Sequence, residues 1–562
     1  MEVICGECSD ENKREEQQKD NYYIKESSVS FPQTMMDLKI SAKNFVIQRT
    51  KNIWDVYDKL EFLGEGAFGA VYKVSRKNSG IHEIIRALKE ISKKALNENM
   101  QNEEELKNEI EVLKNLDHPN IMKIFEFYED ENNIYLVNEF CGGGDIAGLN
   151  DKFGIFPEFL LKYVMFQVFL AISFLHSNKV VHADIKRENI AFVYTGEKKD
   201  KDEIKKFFKD FFDNKEIQYE LAEAPGLENI SDKSLEIAKE LSHFQMKILD
   251  FGSAKKKKRN ASEKLTGVTG TVYYCSPEVI KEKYDFECDE WACGIMIYIL
   301  LVGTPPFIGE DEDEIFSKIL KDDVNLNITE LNNISENCKD LIRKLLEKDA
   351  QKRIKAVQAL KHPFFTTGIS IGNLFKGKYK ENNEVLKTLY RSKTLDLQLK
   401  KTSKFKEMVI AYISLNFSEE DEETKAKKIF MEMAGGDNHF LIRKKTFVQR
   451  MNTIYKGKQS SEDIEKLFDS LDENKSGNLE YEELIRALSD QNKLLSDKNL
   501  KEAFEFFDQD NSGSISWNEI ANVIYPNGKI DKDTMKEFME EIGQKDENKE
   551  ISFEEFKNIL RN

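Results

Sequence analysis

The chain has 562 residues, 40% hydrophobic and 33% charged, so it is typical of a soluble globular protein with about three domains. The formal net charge of −18 argues against a nucleic-acid binder, because phosphate backbones require a basic face. Acidic residues concentrate after residue 418, which indicates a cation-binding end.

The N-terminal region gives no sign of secretion or membrane insertion. No apolar run approaches the ~20 residues needed to cross a bilayer, and no basic-then-apolar leader is visible. Glu2 excludes N-myristoylation, and palmitoylation of Cys5 and Cys8 is a less favoured alternative because basic neighbours are missing. The scattered cysteines indicate reduced thiols and a cytoplasmic protein. Residues 1–56 predict a mostly disordered extension with a short ordered approach from Phe45 onward.

A glycine-rich turn lies between two strand-like segments. Its pattern, G-x-G-x-x-G-x-V, lets a hairpin bring backbone N–H groups close to phosphate oxygens. Such a pattern alone also fits an ordinary turn, but the valine after the third glycine favours the hairpin used by kinases. The residues predicted to bind the nucleotide here are Leu63, Gly64, Gly66, Gly69 and Val71.

A strand with Ala87 in its middle then ends in Lys89, which we predict to bind the α- and β-phosphates. A strand lysine is usually a solvated edge charge. Here a helical pattern from Glu103 to Leu116 follows, and Glu109 sits near its apolar side, where it can pair with Lys89.

A buried strand next runs into a hinge, and the backbone from Glu139 to Cys141 is predicted to bond an adenine edge. Asn138 would gate the back of this pocket, and the sequence offers no physical account of an asparagine there. Gly142 and its two following glycines relax the hinge. Asp145 is expected to reach a ribose hydroxyl or a substrate cation.

The stretch from residue 182 to residue 189 reads H-x-D-x-K-x-x-N, and its fixed residues have chemical tasks. Asp184 can accept the proton of an attacking hydroxyl, Lys186 can neutralise the phosphoryl group in flight, and Asn189 can reach a magnesium ion. Asp250, in Asp-Phe-Gly, is expected to chelate the Mg²⁺ that bridges the phosphates of ATP. The order of these motifs along the chain is more specific than any one of them.

In this order the motifs resemble the protein kinase family, which implies a bilobal kinase fold over residues 57–365. The stretch that ends at Glu278 looks like the end of a kinase activation segment, and Arg353 sits where the family places the partner of Glu278. Lys186, two residues after the base, resembles serine/threonine rather than tyrosine kinases.

Two departures from the family pattern carry predictions of their own. Ala183 replaces the arginine that pairs with a phosphorylated activation-loop residue in the family. We therefore expect activity without phosphorylation of Thr266, Thr269 or Thr271. An insert at 195–245 carries an amphipathic helix, which fits a docking element or, with more weight from loop-length priors, a surface helix with a charged disordered tail.

The junction, residues 366–425, has no catalytic motif. It carries a basic cluster followed by an apolar run from Met408 to Ile413. A basic amphipathic helix is the usual target of a calcium-sensor groove, and a packing linker is the alternative. The cluster consists of Lys400, Lys401, Lys404 and Lys406.

Two twelve-residue loops in the C-terminal region, residues 426–562, predict calcium sites. Each combines oxygen-bearing residues with glycine at position 6 and glutamate at position 12, which can bind the hard Ca²⁺ ion through both oxygens. The predicted ligands are Asp472, Asn474, Ser476, Asn478 and Glu483 in the first loop and Asp508, Asp510, Ser512, Ser514 and Glu519 in the second.

Two further loops are vestigial. The repeat offset lands on Gln544, where position 1 is neutral and position 6 is Lys549, so we expect weak calcium binding or none. Another vestige lies near 434–447, and its last position is Lys445, Thr446 or Phe447, depending on where it starts; this site should be empty. Pairing the loops gives two lobes, each with one good loop and one poor loop.

Kinase, junction and EF-hands in this order resemble the calcium-dependent protein kinase family. The resemblance implies an α+β chain with a bilobal kinase fold and a C-terminal all-α EF-hand domain of two lobes. It implies a calcium-activated serine/threonine kinase that uses ATP, Mg²⁺ and Ca²⁺, acts on protein substrates, and is inhibited by its junction until the EF-hand lobes grip that segment. We expect a monomer, with Asp145 and Glu188 favouring a basic residue upstream of the target.

Two rival hypotheses remain on the sequence alone. One is a catalytically dead kinase fold that serves as a calcium-switched scaffold, suggested by Ala183 and Arg187. The other is a constitutive kinase whose EF-hands serve only for docking.

Overall fold

The computed structural model describes residues 45–561 with gaps. Outside the described part lie 1–44, 47, 50, 67–68, 78–82, 99–102, 196–199, 258–264, 266–270, 370, 372–384, 388, 391–402, 418–424, 428, 431–432, 434–440, 457, 474, 490, 525–535, 537–538, 541–548 and 562. The predictions for Cys5, Cys8, Thr266, Thr269, Lys400, Lys401, Asn474 and Gln544 fall there.

A six-stranded sheet forms the small lobe, in the order β1-β5-β6-β4-β3-β2. The pairs are antiparallel except for β1, which comes from the N-terminal extension and lies parallel to β5. The strands are β1 Gln48–Arg49, β2 Tyr57–Gly66, β3 Gly69–Arg76, β4 Ile85–Ser92, β5 Ile124–Glu129 and β6 Asn133–Glu139, and the helices are α1 Ile53–Val56, α2 Lys93–Glu98 and α3 Glu103–Leu113.

The two faces of this sheet have different surroundings. Val74, Leu88 and Val137, on neighbouring strands, are fully buried and form a core on one face. Because side chains alternate along a strand, Lys89 and Ala87 project from the other face, toward the cleft between the lobes.

The large lobe is built around α5, Glu158–Ser177. This helix is long and apolar enough to cross a membrane, but 94% of its most apolar window is buried inside the lobe. The elements are α4 Ile146–Phe153, α5 Glu158–Ser177, β7 Val180–Val181, β8 Ile190–Tyr194, α6 Lys201–Asp213, α7 Lys215–Glu223, α8 Asp232–Leu241, β9 Phe244–Ile248, β10 Lys255–Lys256, α9 Pro277–Ile280, α10 Glu287–Val302, α11 Glu312–Lys321, α12 Glu336–Leu345, α13 Ala356–Ala359 and α14 Pro363–Thr366.

The insert is a set of three helices, α6 to α8, between the paired strands β8 and β9. Asp200 begins α6 with a capping box, in which its side chain and that of Glu203 each bond a backbone N–H. Phe208 and Phe212 are buried, and Phe212 stacks on Phe153 of α4 at 5.4 Å between ring centroids. The expected disordered tail is therefore wrong for the described part, and the apolar side of α6 is covered by the large lobe.

The C-terminal region encloses one helix of the junction, α15 Lys404–Phe417, of whose 14 residues nine are buried. Its partners include Phe507 and Phe556 of the second EF-hand lobe, which contact Phe405. The elements that follow are β11 Ile442–Arg443, α16 Lys444–Tyr455, α17 Ser461–Leu471, β12 Asn478–Leu479, α18 Tyr481–Leu488, α19 Gln491–Leu494, α20 Asp497–Phe507, β13 Ser514–Ile515, α21 Trp517–Ile524, β14 Ile551–Ser552 and α22 Phe553–Arg561.

A buried charge network joins the second EF-hand lobe to the small lobe. Arg49 Nε lies 2.9 Å from Glu126 Oε2, and its guanidinium covers the Phe506 ring at 4.4 Å. Arg76 lies 3.7 Å from Glu126 and 3.0 Å from Glu502 of α20. Burial alone would raise the pKa of Glu126, but Arg49 and Arg76 outweigh it and lower the pKa to about 2. Glu126 is therefore the carboxylate that joins the two arginines, and Glu502 is a second partner for Arg76.

We predict that Glu126→Gln lowers the free energy of unfolding by about 3–5 kcal/mol, because it leaves the buried guanidinium of Arg49 without a carboxylate and that of Arg76 with Glu502 alone. Denaturant titration of the intact chain measures this loss. Since the folded pKa is about 2 and the ordinary value is 4.5, the stabilisation is present above pH 4.5 and is lost as the pH falls toward 2. The control is Glu129→Gln, whose 23% exposed side chain pairs with Lys93 and should contribute about 0–1 kcal/mol. Equal losses in both variants would contradict the prediction.

Candidate active site and calcium loops

The backbone of the catalytic loop is held by Asp289 of α10. Its two carboxylate oxygens accept the backbone N–H groups of His182 at 3.0 Å and Ala183 at 2.9 Å. Ala183 has a φ of 64°, a left-handed conformation that costs about 1–3 kcal/mol for a residue with a Cβ. The two charge-assisted hydrogen bonds offset this strain and fix the loop just before Asp184.

The catalytic residues predicted from the sequence converge on Asp184. Lys186 Nζ lies 2.7 Å from Asp184 Oδ2, and Asn189 Nδ2 donates to the same oxygen at 3.1 Å. Lys186 Nζ also donates to the Thr271 hydroxyl at 3.3 Å. The sequence reasoning missed this role of Thr271; its place in the stretch before Glu278 was the available signal.

The second catalytic cluster spans the two lobes. Lys89 Nζ lies 3.8 Å from Glu109 Oε1 on α3 and 3.3 Å from Asp250 Oδ1. Burial alone would lower the pKa of Lys89, but Glu109 and Asp250 outweigh it and raise it. Burial raises the pKa of Glu109, whereas Lys89 keeps the pKa of Asp250 below its usual value despite burial. Asp250 has a φ of 56°, and Phe251, which follows it, is fully buried against the His182 ring.

Strand pairing shows how the residues predicted to bind the nucleotide are arranged in the glycine-rich hairpin. Gly64 pairs with Val71 across the glycine-rich hairpin, and Gly66 pairs with Gly69. Leu63, in the first strand of this hairpin, is 38% exposed. The residues predicted for phosphate contact therefore belong to one hairpin.

The hinge is Glu139 to Cys141, at the end of β6. The chain then passes close to β8, where Gly143 donates its backbone N–H to the carbonyl of Phe192 at 2.9 Å. A Cβ on Gly143 would come within 2.6 Å of the Phe192 Cβ, so this approach requires glycine. Asp145 uses one oxygen to cap α4, accepting from the Gly148 N–H at 2.7 Å. Its second oxygen is the one available for the predicted contact with a ribose hydroxyl or a substrate cation.

Glu278 and Arg353 form a bidentate ion pair, with nitrogen–oxygen distances of 2.5 Å and 3.0 Å. The Arg353 side chain is fully buried. The pair ties the end of the activation segment to the helices of the large lobe, as its sequence position implied.

Both calcium loops have the backbone that a cation site requires. Lys475 and Asn511, at position 4, and Gly477 and Gly513, at position 6, all have positive φ. In the second loop, carboxylate oxygens of Asp508, Asp510 and Glu519 lie within 4.8 Å of one another. Burial, with repulsion from Glu519 and Asp510, raises the pKa of Asp508. The cluster is thus rich in hard oxygen ligands and short of positive charge, which fits Ca²⁺.

In the first loop, Asp472 accepts the backbone N–H groups of Ser476 and Gly477, each at 2.8 Å. Glu483, at position 12, accepts the N–H of Glu480 at 2.9 Å. The short strand at Asn478 follows, as in the second loop at Ser514. The predicted ligands other than Asn474 thus lie in a folded loop.

A strand pairing defines the bounds of the first vestigial loop, and an ion pair distinguishes the last loop from the two predicted calcium loops. Ile442 pairs with Leu479, which is position 8 of the first good loop, so the first vestige starts at residue 435 and ends at Thr446. In the last loop, Lys549 Nζ lies 2.6 Å from Glu555 Oε1 and holds the pKa of Glu555 at about 2. The ammonium group of Lys549 thus pairs with the carboxylate at position 12 of this loop.

Comparisons with known proteins find a kinase domain followed by EF-hands. The protein kinase domain family matches residues 57–207 and 234–365, and the EF-hand domain pair matches 461–525 and 497–561. Calcium-dependent protein kinase 3 of Plasmodium yoelii yoelii is 33% identical over 465 residues, covering 82% of this chain and 73% of that protein. Calcium-dependent protein kinase 5 of Plasmodium falciparum (isolate 3D7) is 30% identical over 495 residues, covering 85% and 74%.

His176 supports Asp289, and its charge gives a pH prediction. It donates to Asp289 at 2.9 Å and lies 3.4 Å from Glu290. Burial alone would lower its pKa, but Glu290 and Asp289 outweigh it and raise the pKa to about 10. Its stabilisation is therefore fully present below the ordinary value of 6.5 and is lost as the pH rises through about 10.

We expect the difference in free energy of unfolding between the wild type and His176→Gln to shrink as the pH rises from about 6.5 to about 10. Denaturant titrations across this range measure it. His118→Gln is the matched control, because burial lowers the pKa of His118 to about 3 and it stays neutral throughout. A His176→Gln difference that does not change with pH would refute the prediction.

Proposed function

The chain belongs to the calcium-dependent protein kinase family, and we propose that it transfers the γ-phosphate of ATP to serine or threonine residues of proteins when calcium binds its C-terminal lobes. That it is a calcium-regulated protein kinase follows from the family. The acceptor specificity, the residue roles and the mode of regulation are the proposal. The observation that carries it is a direct contact between a calcium loop and the small lobe of the kinase.

That contact joins Glu482, beside the calcium ligand Glu483, to Asp117. The backbone N–H of Glu482 donates to Asp117 Oδ2 at 2.9 Å, and its side chain lies 3.4 Å from Lys123. Asp117 follows α3, the helix that carries Glu109. Glu483 would hold a calcium ion at the first turn of α18, and the Glu482–Asp117 hydrogen bond connects that turn to the segment that follows the helix of Glu109.

The phosphoryl transfer itself is assigned to residues of the large lobe. Asp184 orients the substrate hydroxyl and accepts its proton, because its Oδ2 is fixed by Lys186 and Asn189. Lys186 stabilises charge on the transferring group, since its ammonium is held between Asp184 and Thr271. In the small lobe, Glu109 positions Lys89 for the α- and β-phosphates of ATP.

The residues in the cleft fit magnesium. The Asp250 carboxylate is 47% exposed, and the amide nitrogen of Asn189 bonds Asp184, so an oxygen from each residue is available as a hard ligand. Magnesium bound there would neutralise charge on the phosphates.

Regulation is assigned to α15. Its apolar residues are enclosed by the EF-hand lobes, and Tyr412 stacks on Phe506 at 4.1 Å between ring centroids. We assign this arrangement to the calcium-bound state. At low calcium the lobes release α15, and the junction then inhibits the kinase.

The proposal extends to substrates and location. Glu188 is 51% exposed beside the catalytic loop and, with Asp145, favours a basic residue upstream of the target. The cysteines of the described part are free thiols, which supports a cytoplasmic location.

A peptide-labelling assay with radiolabelled ATP, run in calcium and in excess EGTA, tests the function. We expect labelling only with calcium, and a coupling free energy of about 1–3 kcal/mol for each calcium loop. Glu483→Gln and Glu519→Gln should each weaken the calcium response. Titration calorimetry should show one calcium ion bound per chain in each variant, compared with two in the wild type. Glu555→Gln is the matched control, because Lys549 already neutralises that carboxylate, and it should keep two ions and the full response.

Three other results separate the rivals. No labelling in any condition supports the scaffold, and equal labelling in EGTA supports EF-hands used only for docking.

Asp184→Asn should keep ATP binding and lower turnover by about 10²–10⁴-fold, the usual contribution of a general base. Undiminished turnover in Asp184→Asn would remove the assigned chemistry.

The activation segment gives a separate prediction. Because Ala183 offers no guanidinium for a phosphate, Thr266→Ala and Thr269→Ala should leave activity within a factor of about two. Thr271→Ala should lower it, since Lys186 loses a partner at 3.3 Å. The assay compares each variant with wild-type protein before and after phosphatase treatment, and mass spectrometry checks the phosphorylation state. A large loss in Thr266→Ala or Thr269→Ala, together with gain of wild-type activity on phosphorylation, would show that a phosphate is needed.

A further inference from the structure

Asn138, near the end of β6, carries a polar atom that the fold leaves unexplained. The residue is 4% exposed, and its Oδ1 has no hydrogen-bond partner among the described residues. Buried polar atoms in folded proteins are nearly always paired, so an unpaired one beside a functional cleft points to a missing ligand or water.

Strand register places this side chain on the cleft side of the sheet. Asn138 pairs with Ala87 of β4, and Leu136 pairs with Lys89. Directly opposed residues of an antiparallel pair project to the same face, as do residues two apart on one strand. The carboxamide therefore shares a face with Ala87 and with Lys89, whose ammonium lies in the cleft. Val137 projects to the opposite face and is fully buried there.

The chemistry of a carboxamide differs from that of the apolar residues around it. Its oxygen is a strong acceptor with two lone pairs, whereas Leu136 and Val137 offer none. The 6-amino group of adenine has two N–H donors, and a hinge carbonyl at Glu139 can accept only one of them. The second donor needs an acceptor at the back of the pocket.

We propose that Asn138 Oδ1 accepts a hydrogen bond from the 6-amino group of the bound nucleotide and thereby selects adenine. This inference rests on the nucleotide binding proposed above. It makes Asn138 a specificity-determining residue that contacts the base and takes no part in phosphoryl transfer.

Calorimetric binding to the full chain with calcium and Mg²⁺ tests it, with two probes. ATP has the 6-amino group, and purine riboside 5′-triphosphate lacks it. Asn138→Leu keeps the approximate shape and removes the acceptor, so the preference for ATP over the second probe should fall about three- to tenfold. Asn138→Thr keeps an oxygen and should retain part of the preference. Val137→Ala, on the opposite face, is the control and should leave the ratio of the two dissociation constants unchanged.

The thermal midpoint of the nucleotide-free chain provides a readout independent of the nucleotide. Because Asn138→Leu removes an unpaired buried oxygen, its midpoint should equal or exceed that of the wild type. A wild-type ratio in Asn138→Leu overturns the inference, and so does a clearly lower midpoint, which would assign Asn138 a structural partner. In both cases intact ATP binding leaves the proposed kinase function standing. Failure of the wild type to bind ATP would remove both.

Discussion

The contact between the kinase domain and the C-terminal region depends on the burial of helix α15. Its buried residues lie on every side, so it cannot rest on a surface and has to be enclosed. The EF-hand lobes supply most of the enclosure. At its C-terminal end Arg86 of the kinase sheet donates to the Asn416 carbonyl at 3.2 Å, where a cation is favoured by the helix dipole. A state in which α15 leaves the lobes must cover the same apolar surface elsewhere.

Each EF-hand lobe contacts the small lobe through a helix that borders its predicted calcium loop. In the first lobe this is α18, whose Glu482 contacts Asp117. In the second lobe it is α20, whose Glu502 and Phe506 contact the arginines of the buried network. Buried ion pairs repay their desolvation poorly, so the apolar contacts supply the attraction and the charges fix the register. The two predicted calcium loops, one in each lobe, therefore border different contacts with the small lobe.

The grouping of the catalytic-loop residues was predictable from the sequence, and the contacts between distant segments were not. Asp184, Lys186 and Asn189 lie within six residues of one another in the chain, so local spacing is enough to bring them together. The strand β1 has only two residues, too few for any periodicity, and it exists because it pairs with β5 some eighty residues later. The order of the insert was missed for the same reason, since its phenylalanines are buried against α4 and β9. Thr446 could be identified as the end of the first vestige only from its strand pairing.

The catalytic loop and the small lobe differ in what holds them. Asp184 is fixed from within the large lobe, because Asp289 anchors the backbone beside it and His176 supports Asp289. No phosphate is required for that anchoring. The longest of the catalytic ion pairs, 3.8 Å between Lys89 and Glu109, lies instead in the small lobe. That is the lobe the EF-hand domain contacts, so these contacts reach the part of the active site that the large lobe does not already fix.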